Sequence, residues 1–463
     1  MRRMPLTAAV AAALLVAGCN GGAGAAGGSG ASSNTLIIAM TAAQLPGLDA
    51  GTFESEGWEG ERFVGMQLYD GLTKMSLNQD KTGPTIEPDL ATSWKVSKDV
   101  KTWTFTLRPG VTFHDGTPFN ADAAVFGFDR ILNPKSKYFN ADAAGLIGFY
   151  TQSIAGYKKV NDMTFQITTK APYALLTQDL PFLTFPSPTA VEKLGNKAFG
   201  QHPVGTGPFK FSRLISGGSA EFVKNDKYWN GAPTLDKLVL RPIPEATARV
   251  SALRSGEVNW IEFPSPDDAA SLGKEGYIVK TNPYSHIWPW LFDVTKGPLK
   301  DARVRLALNL AINRDQMAKG TLSGFGAPAE QYVPQTDIGY QPSGNVLTYD
   351  PVKAKSLLAA AGYPNGFSMT LSYPTSGSGN MVPGPMNEAL QADLAKVGVK
   401  VKLEPVEWSA MIGDWSAGKM SLGADATNIS LGFQPPISWE VYFGSKSVFN
   451  VGHYNSPQFD ALW

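Results

Sequence analysis

The chain has 463 residues, in which 40 lysine and arginine residues balance 40 aspartate and glutamate residues, and it has one cysteine. No long run of either charge occurs, so the basic face that a nucleic-acid partner needs is missing and we predict no nucleic-acid binding. The single cysteine allows no disulfide within the chain, and the four histidines are far apart at positions 114, 202, 286 and 453. We therefore predict no metal site and no cofactor.

Residues 1–18 have the features of a secretory signal peptide. Arg2 and Arg3 precede an apolar run, and small residues lie directly before Cys19. This run is too short to span a bilayer as a stable helix. Residues 19–33 are rich in Gly, Ala and Ser and bury too little apolar surface to fold, so we predict a flexible tether there. The alternative is an ordinary signal peptide, cleaved nearby, with a stray cysteine.

From Thr35 onward, strand and helix patterns alternate, which indicates an α/β fold. The stretch "TLIIAM" predicts a first strand, and "GERFVGMQLYDGL" predicts a helix that ends at Gly71. Alternating residues in "SWKVSKDVKTWTFTLRPGVTFHDGTPF" predict antiparallel hairpins. Asn120 is the predicted N-cap of the helix that follows.

Later elements follow the same alternation. We predict a strand at Lys237 to Pro242 and a helix at Pro244 to Ser255. Val304, Leu308 and Ala311 lie on one predicted helical face. A last helix begins at Ser456 and Pro457 and stops after about two turns. We therefore expect the sequence to be a piece of a longer protein.

The sequence contains no recognisable catalytic motif. The stretch "GTGPF" at 205–209 lacks the Gly-Lys-Ser/Thr ending of a phosphate loop, and no nucleophile elbow occurs. Asp267 and Asp268 are predicted to lie in a solvated, proline-bounded loop. The motifs therefore predict no enzyme, although residues brought together in space leave a secreted hydrolase as an alternative.

Several segments together resemble family 5 of the bacterial extracellular solute-binding proteins, the oligopeptide-, dipeptide- and nickel-binding components of ABC importers. The matching stretches run in family order and are "LYDGL", "EPDLATSWKVSKDVKTWTFTLRPGVTFHDGTPFNADAAVFGFDRI", "VGTGPFKF", "NDKYWNGAPTLDKLVLRPIPEATARVSALRSGEVNW", "PLKDARVRLALNLAINRDQM", "YDPVKAKSLLAAAGY" and "HYNSPQFDAL". In addition, Val-Ala-Gly-Cys at 16–19 resembles the bacterial lipobox, which implies a diacylglyceryl group on Cys19.

The resemblance implies a two-lobe, type II periplasmic-binding-protein-like fold with an extra β-rich subdomain in the first lobe. The first lobe would comprise residues 34–74 and 205–282, and the β-rich subdomain residues 75–204. The second lobe would comprise residues 283–463, without the C-terminal return to the first lobe that family members usually have.

The resemblance also implies a function without chemistry on the solute. A lipoprotein at the extracytoplasmic face of the bacterial membrane, at the cell surface or in the periplasm, would capture a peptide-like solute. It would close around the solute and deliver it to the permease of an ABC importer. An oligosaccharide or another polar organic solute is the alternative within this class.

Site residues implied by the resemblance lie in both lobes. Trp408 matches a tryptophan that lines the peptide cleft of relatives, and Asp70 matches a position near the cleft that is usually Glu. Gly432, followed by Phe433, falls where peptide-binding relatives place an Asp for the peptide ammonium. Asp425, seven residues earlier, would substitute for it only if the loop is rebuilt. For each, core packing or surface charge is the alternative.

An aromatic cluster at the predicted lobe crossing completes the candidate site. It consists of Trp288, Trp290 and Phe292, with Asp293 where relatives often carry Asn. Aromatic side chains of this kind line solute clefts, and they also fill ordinary cores.

Overall fold

A computed structural model of the chain describes residues 34–77, 84–281, 286–335, 340–341, 347–377, 380–432 and 435–462. The predicted signal peptide, Cys19, the predicted tether and Phe433 lie outside these residues. Within the described ranges, no helix combines the length and the apolar composition that a bilayer span needs.

The secondary structure alternates along the chain, with a strand first. The strands are β1 (Thr35–Met40), β2 (Thr73–Leu77), β3 (Pro84–Pro88), β4 (Ala91–Val96), β5 (Thr102–Leu107), β6 (Ile154–Asn161), β7 (Thr164–Thr169), β8 (Phe209–Ile215), β9 (Ser219–Lys224), β10 (Lys237–Pro242), β11 (Trp260–Ile261), β12 (Trp290–Phe292), β13 (Ser368–Pro374), β14 (Lys400–Val406) and β15 (Ala426–Asn428). The α-helices are α1 (Gly57–Gly60), α2 (Met66–Leu68), α3 (Ala121–Leu132), α4 (Ala141–Thr151), α5 (Leu176–Asp179), α6 (Pro188–Phe199), α7 (Ala246–Arg254), α8 (Pro266–Lys274), α9 (Ala302–Leu310), α10 (Arg314–Gln316), α11 (Pro351–Ala360), α12 (Pro383–Ala395), α13 (Trp408–Ser416), α14 (Pro435–Phe443) and α15 (Pro457–Asp460).

The first sheet joins the start of the described chain to residues 209–261. Its strand order is β11-β1-β10-β9-β8, in which β1 is parallel to both of its neighbours and β9 is antiparallel to both of its own. Because β1 is flanked on both sides, its last three residues are buried, as expected for a strand at the centre of a sheet. We call this sheet, with helices α7 and α8 and the helical segment 53–68, the first lobe.

A second sheet is antiparallel throughout, with the order β4-β5-β7-β6. Along β5, Trp103, Phe105 and Leu107 alternate into its core, which confirms the predicted hairpins. Asn120 accepts a hydrogen bond from the Ala123 amide at 3.1 Å and caps α3, also as predicted. We call this sheet, with α3 to α6, the β-rich subdomain.

The third sheet is mixed, with the order β12-β15-β13-β14. The strand β13 is parallel to β14 and β15, whereas β12 is antiparallel to β15. Val304, Leu308 and Ala311 are fully buried beside it, so the predicted helical face is confirmed. We call this sheet, with the helices from α9 onward, the second lobe. The residue limits of the lobes that were given from the sequence stay a prediction.

Two local predictions were wrong. The helix expected to end at Gly71 ends at Leu68, because Tyr69 is extended and its hydroxyl donates to the Leu48 carbonyl at 2.8 Å. Asp267 and Asp268 do not lie in a loop but in the first turn of α8. Here the Ser265 side chain accepts the Asp268 amide at 3.1 Å, so the Ser-Pro sequence starts a helix.

Candidate functional site

The two lobes contact each other through reciprocal tryptophan hydrogen bonds. The indole N–H of Trp58, in the first lobe, donates to the Gly432 carbonyl in the second lobe at 2.8 Å. The indole N–H of Trp408, in the second lobe, donates to the Ser55 carbonyl in the first lobe at 3.1 Å. Because each lobe supplies one donor and one acceptor, the pair fixes the two inner surfaces against each other.

Trp408 is held in place from its own lobe. It is the first residue of α13, whose N-cap Glu407 accepts the Ala410 amide at 3.0 Å. Gly377 lies beneath the indole with φ +101°, and a Cβ there would lie 2.6 Å from Cε3 of Trp408. Glycine is therefore required twice at this position, for its backbone conformation and for the close approach of the ring.

The imidazole of His286 fills the space beside Gly432. A Cβ built on Gly432 would lie 2.5 Å from Nδ1 of His286 and closer still to two other ring atoms. Burial, with the positive charge of Arg62, lowers the pKa of His286 to about 3, so the ring is neutral at physiological pH. The position at which the resemblance implies an aspartate in peptide-binding relatives is thus occupied by a neutral ring from another segment.

A continuous row of aromatic rings crosses from one lobe to the other. Trp58 meets Phe182 edge-on at 5.4 Å between ring centroids, and Phe182 stacks on Tyr150 at 3.9 Å. Phe149, next to Tyr150, meets Phe449 of the second lobe at 6.3 Å. Such rings offer apolar faces to a solute held between the lobes.

Three carboxyl groups, Glu54, Glu61 and Asp179, act on Tyr150 of this row, and Glu440 acts on Asp179. We call these four groups the carboxyl cluster. Burial raises the pKa of Glu54 to about 7, and burial together with Glu54 raises the pKa of Glu61 well above its usual range. Burial, with the charge of Glu440, also raises the pKa of Asp179 strongly, and burial raises the pKa of Glu440. The raised pKa values favour the protonated, uncharged form of these carboxyl groups.

Asp70, a predicted ligand contact, has a saturated internal environment. Its carboxylate accepts hydrogen bonds from Thr206 Oγ1 at 2.8 Å, Tyr228 OH at 3.0 Å and Trp229 Nε1 at 3.1 Å. Burial nevertheless raises the pKa of Asp70. None of the interlobe contacts described above involves it, so the geometry gives it a role inside the first lobe.

Asp293 and Asp425 are likewise engaged within the second lobe. Asp293 accepts from the Thr295 amide at 3.0 Å and from its hydroxyl at 2.6 Å. Burial opposes ionisation, but these hydrogen bonds hold the pKa of Asp293 below its usual range. Asp425 accepts from the Thr370 amide at 2.8 Å and so joins β13 to β15. The structure therefore does not bring Asp425 into the place of a side chain at Gly432.

The predicted aromatic cluster lies on and before β12. Trp288, Trp290 and Phe292 are half-buried and pack against the core of the second lobe. The indole N–H of Trp288 is buried, and no described residue accepts a hydrogen bond from it. Of the predicted residues, the structure brings Trp408 and Gly432 into direct interlobe contact, whereas these three rings pack against the core of the second lobe.

Sequence reasoning missed several residues of this interface. Trp58, Tyr150, Phe182 and His286 carry no motif, and their proximity arises only from the fold. One signal was readable: Glu54, Glu56, Glu59 and Glu61 fall within eight residues of one helical segment. Among the described residues, no group of three or more His, Cys, Asp and Glu side chains is arranged to hold a metal ion.

The chain matches known proteins over most of its length. The profile described as bacterial extracellular solute-binding proteins, family 5 Middle, matches residues 85–449. The chain is 31% identical to heme-binding protein A of Haemophilus influenzae, over 98% of this chain and 86% of that protein. It is 34% identical to the dipeptide-binding protein of Escherichia coli K12, over 76% of this chain and 70% of that protein.

A solved structure agrees with the fold. The ABC transporter-associated periplasmic binding protein DppA from Helicobacter pylori, in complex with the peptide STSA, superposes with a TM-score of 0.79 at 29% identity. The superposition covers 92% of this chain and 85% of that protein. The sequence-based expectation of a two-lobe, type II fold with a β-rich subdomain is thereby confirmed.

Proposed function

The chain belongs to family 5 of the bacterial extracellular solute-binding proteins, and we propose that it captures a peptide-like solute between its two lobes for an ABC importer. The observation that carries the proposal is the reciprocal pair of hydrogen bonds between Trp58 and Gly432 and between Trp408 and Ser55. It gives the closed form contacts that an open form cannot make. Relatives named for dipeptide binding support the choice of solute.

Closure is the working step in this proposal. A solute that touches both lobes binds the closed form more tightly than the open form and shifts the population toward it. The permease of the importer then recognises the closed form. In this proposal the solute is bound and released without any change in its covalent structure.

The proposed solute surface combines Trp58 and Trp408 with the row of aromatic rings. The peptide backbone would use the polar groups at the edges of these rings, and its side chains would use their faces. Trp288, whose buried N–H has no acceptor among the described residues, is the proposed donor to a solute carbonyl. We assign Asp70 and Asp293 to the support of the lobes.

Isothermal titration calorimetry with purified di- to tetrapeptides tests this proposal. We expect saturable binding at one site, with the peptides recovered intact by mass spectrometry. Trp408→Ala should weaken binding by about 30-fold or more, because it removes an interlobe hydrogen bond and a buried ring face. Trp260→Ala, at a half-exposed ring on the first-lobe edge strand, is the control that should bind normally. Absence of saturable binding, or cleavage of the peptides, would contradict the proposal.

We further propose that Cys19 carries the lipid that holds the protein at the extracytoplasmic face of the membrane. Two acyl chains give stable anchoring, whereas one gives only marginal binding. Cys19→Ser should move the protein from the membrane fraction to the soluble fraction and abolish incorporation of labelled fatty acid. Lipidation of the Cys19→Ser variant would refute this assignment.

A further inference from the structure

The two interlobe hydrogen bonds are supported differently in the two lobes. In the first lobe, the Ser55 carbonyl and the Trp58 indole belong to one helical segment and lie three residues apart, so the backbone fixes their spacing. In the second lobe, the Trp408 indole and the Gly432 carbonyl belong to separate segments. A hydrogen bond weakens steeply outside a narrow range of length and angle, so both bonds form together only if the second lobe holds these segments at one distance.

Asn380 lies between the two segments of the second lobe and is hydrogen-bonded toward both. Its side-chain carbonyl accepts the Ser430 amide at 2.7 Å, two residues before Gly432. Its side-chain amide donates to the Ser376 carbonyl at 3.1 Å, and its backbone amide donates to the Gly377 carbonyl at 3.3 Å. Asn380 is 1% exposed, so both functional groups of its side chain are used inside the protein.

The loop that Asn380 holds on one side is the loop beneath Trp408. A Cβ built on Gly377 would lie 2.6 Å from Cε3 of Trp408 and 3.1 Å from the side-chain nitrogen of Asn380. The Thr375 amide donates to the Val406 carbonyl at 2.9 Å, which joins the same loop to the end of β14, two residues before Trp408. The position of the indole therefore depends on the position of this loop.

The segment on the other side of Asn380 carries the acceptor for Trp58. Leu431 and Ile287 exchange backbone hydrogen bonds at 2.9 and 3.0 Å, so a β-bridge fixes this segment from a further direction. Leu431 also belongs to the same apolar cluster as Trp408. Apolar packing is non-directional, whereas the hydrogen bonds of Asn380 set both a distance and a direction between the two segments.

We propose that Asn380 is a positioning residue, which holds the Trp408 ring and the Gly432 carbonyl at the spacing that the first lobe requires. This inference rests on the proposed function and adds a residue that acts through these two groups instead of through the solute. With Asn380 in place, both interlobe hydrogen bonds form when the lobes close. Without it, the arrangement that suits one bond misaligns the other, so the closed form is favoured less.

NMR spectra of the indole N–H groups test the proposal without a peptide. Trp58→Phe and Trp408→Phe assign the two interlobe signals. Trp415, whose buried N–H has no acceptor among the described residues, is the internal reference. In Asn380→Ala, we expect both interlobe signals to shift and to exchange with solvent at least about tenfold faster than in the unaltered protein, while the Trp415 signal stays in place.

Asn225→Ala is the matched control for the loss of a buried amide. Asn225 is 5% exposed, donates to the Gly207 carbonyl at 3.1 Å and accepts the Lys227 amide at 3.2 Å, all within the first lobe. Its substitution should lower the unfolding temperature about as much as Asn380→Ala and leave both interlobe indole signals unchanged. A merely structural role of Asn380 predicts that the two variants act alike on these signals.

Peptide binding gives a second readout, through a comparison of two backgrounds. By calorimetry, Asn380→Ala in the unaltered protein should weaken peptide binding by about tenfold, because both indole hydrogen bonds lose their alignment. In a protein that already carries Trp58→Phe and Trp408→Phe, the same substitution should weaken binding by less than about twofold, since the bonds that it aligns are gone.

Each outcome supports or refutes the positioning role. Faster exchange of both interlobe signals in Asn380→Ala, but not in Asn225→Ala, supports it. A change at one ring alone, at neither ring, or at both rings in both variants would refute it. Equal losses of binding in the two backgrounds would also refute it and leave the peptide proposal intact.

Two further outcomes concern the proposed function as well. If no peptide binds but both signals change as expected in Asn380→Ala, the peptide is refuted and the role of Asn380 stands. If the interlobe signals of the unaltered protein exchange freely with and without peptide, the interlobe hydrogen bonds do not form and both proposals are refuted.

Discussion

Asp70 and Asp179 are both buried aspartates, but their environments differ in kind. Asp70 receives hydrogen bonds from Thr206, Tyr228 and Trp229 within the first lobe. Asp179 retains an oxygen with no partner among the described residues, and Glu440 adds a like charge nearby. The comparison separates a carboxylate whose two oxygens both accept hydrogen bonds from one that keeps an unused acceptor oxygen.

The largest expected effect is a loss of stability when Asp70 is replaced. Asp70→Ala removes the acceptor of two hydroxyls and one indole N–H, of which the Thr206 hydroxyl is buried and the other two donors are half-buried. The free energy of unfolding should therefore fall by about 4 kcal/mol. Asp179→Asn removes a like-charge interaction and should change it by less than about 1 kcal/mol. Urea denaturation measures both.

The variant Asp70→Asn serves as control for the first substitution. It keeps one acceptor oxygen and the side-chain shape. Its loss of unfolding free energy should therefore fall between those of Asp70→Ala and Asp179→Asn. Equal losses for Asp70→Ala and Asp179→Asn would contradict the distinction drawn between the two sites.

A smaller effect is expected where packing rather than hydrogen bonding completes the interface. Gly432→Ala places a methyl group on the imidazole of His286 and should cost about 2 kcal/mol of unfolding free energy. In the double variant Gly432→Ala with His286→Ala, the methyl has room. A double-mutant cycle measured by urea denaturation should therefore give a coupling energy of about 1–2 kcal/mol. Additive losses would show that the imidazole does not fill this space.

The sequence predicted local structure better than it predicted the site. The N-caps Asn120 and Ser456 and the buried face of Val304 and Leu308 were readable because each depends on residues a few positions apart. The donors to Asp70 lie 136 to 159 residues away, so no local pattern reveals them.

The same reason explains the mixed outcome at the interface. Trp408 was found through a family resemblance, whereas Trp58, which makes the equivalent contact from the other lobe, has no motif. The four glutamates at 54–61 were visible as a pattern, but a surface helix rich in glutamate looks the same. The fold distinguishes them, because it buries Glu56, Glu59 and Glu61.

The smallest effect belongs to a single interlobe hydrogen bond. Trp408→Phe keeps an aromatic ring but removes the N–H that donates to Ser55, so peptide binding should weaken by about fivefold, equivalent to about 1 kcal/mol. Trp415→Phe, in the same helix, is the matched control, because the buried N–H of Trp415 has no acceptor among the described residues. Loss of the Trp415 N–H should leave peptide binding unchanged. If the two variants weaken binding equally, ring packing rather than the hydrogen bond between the lobes stabilises the closed form.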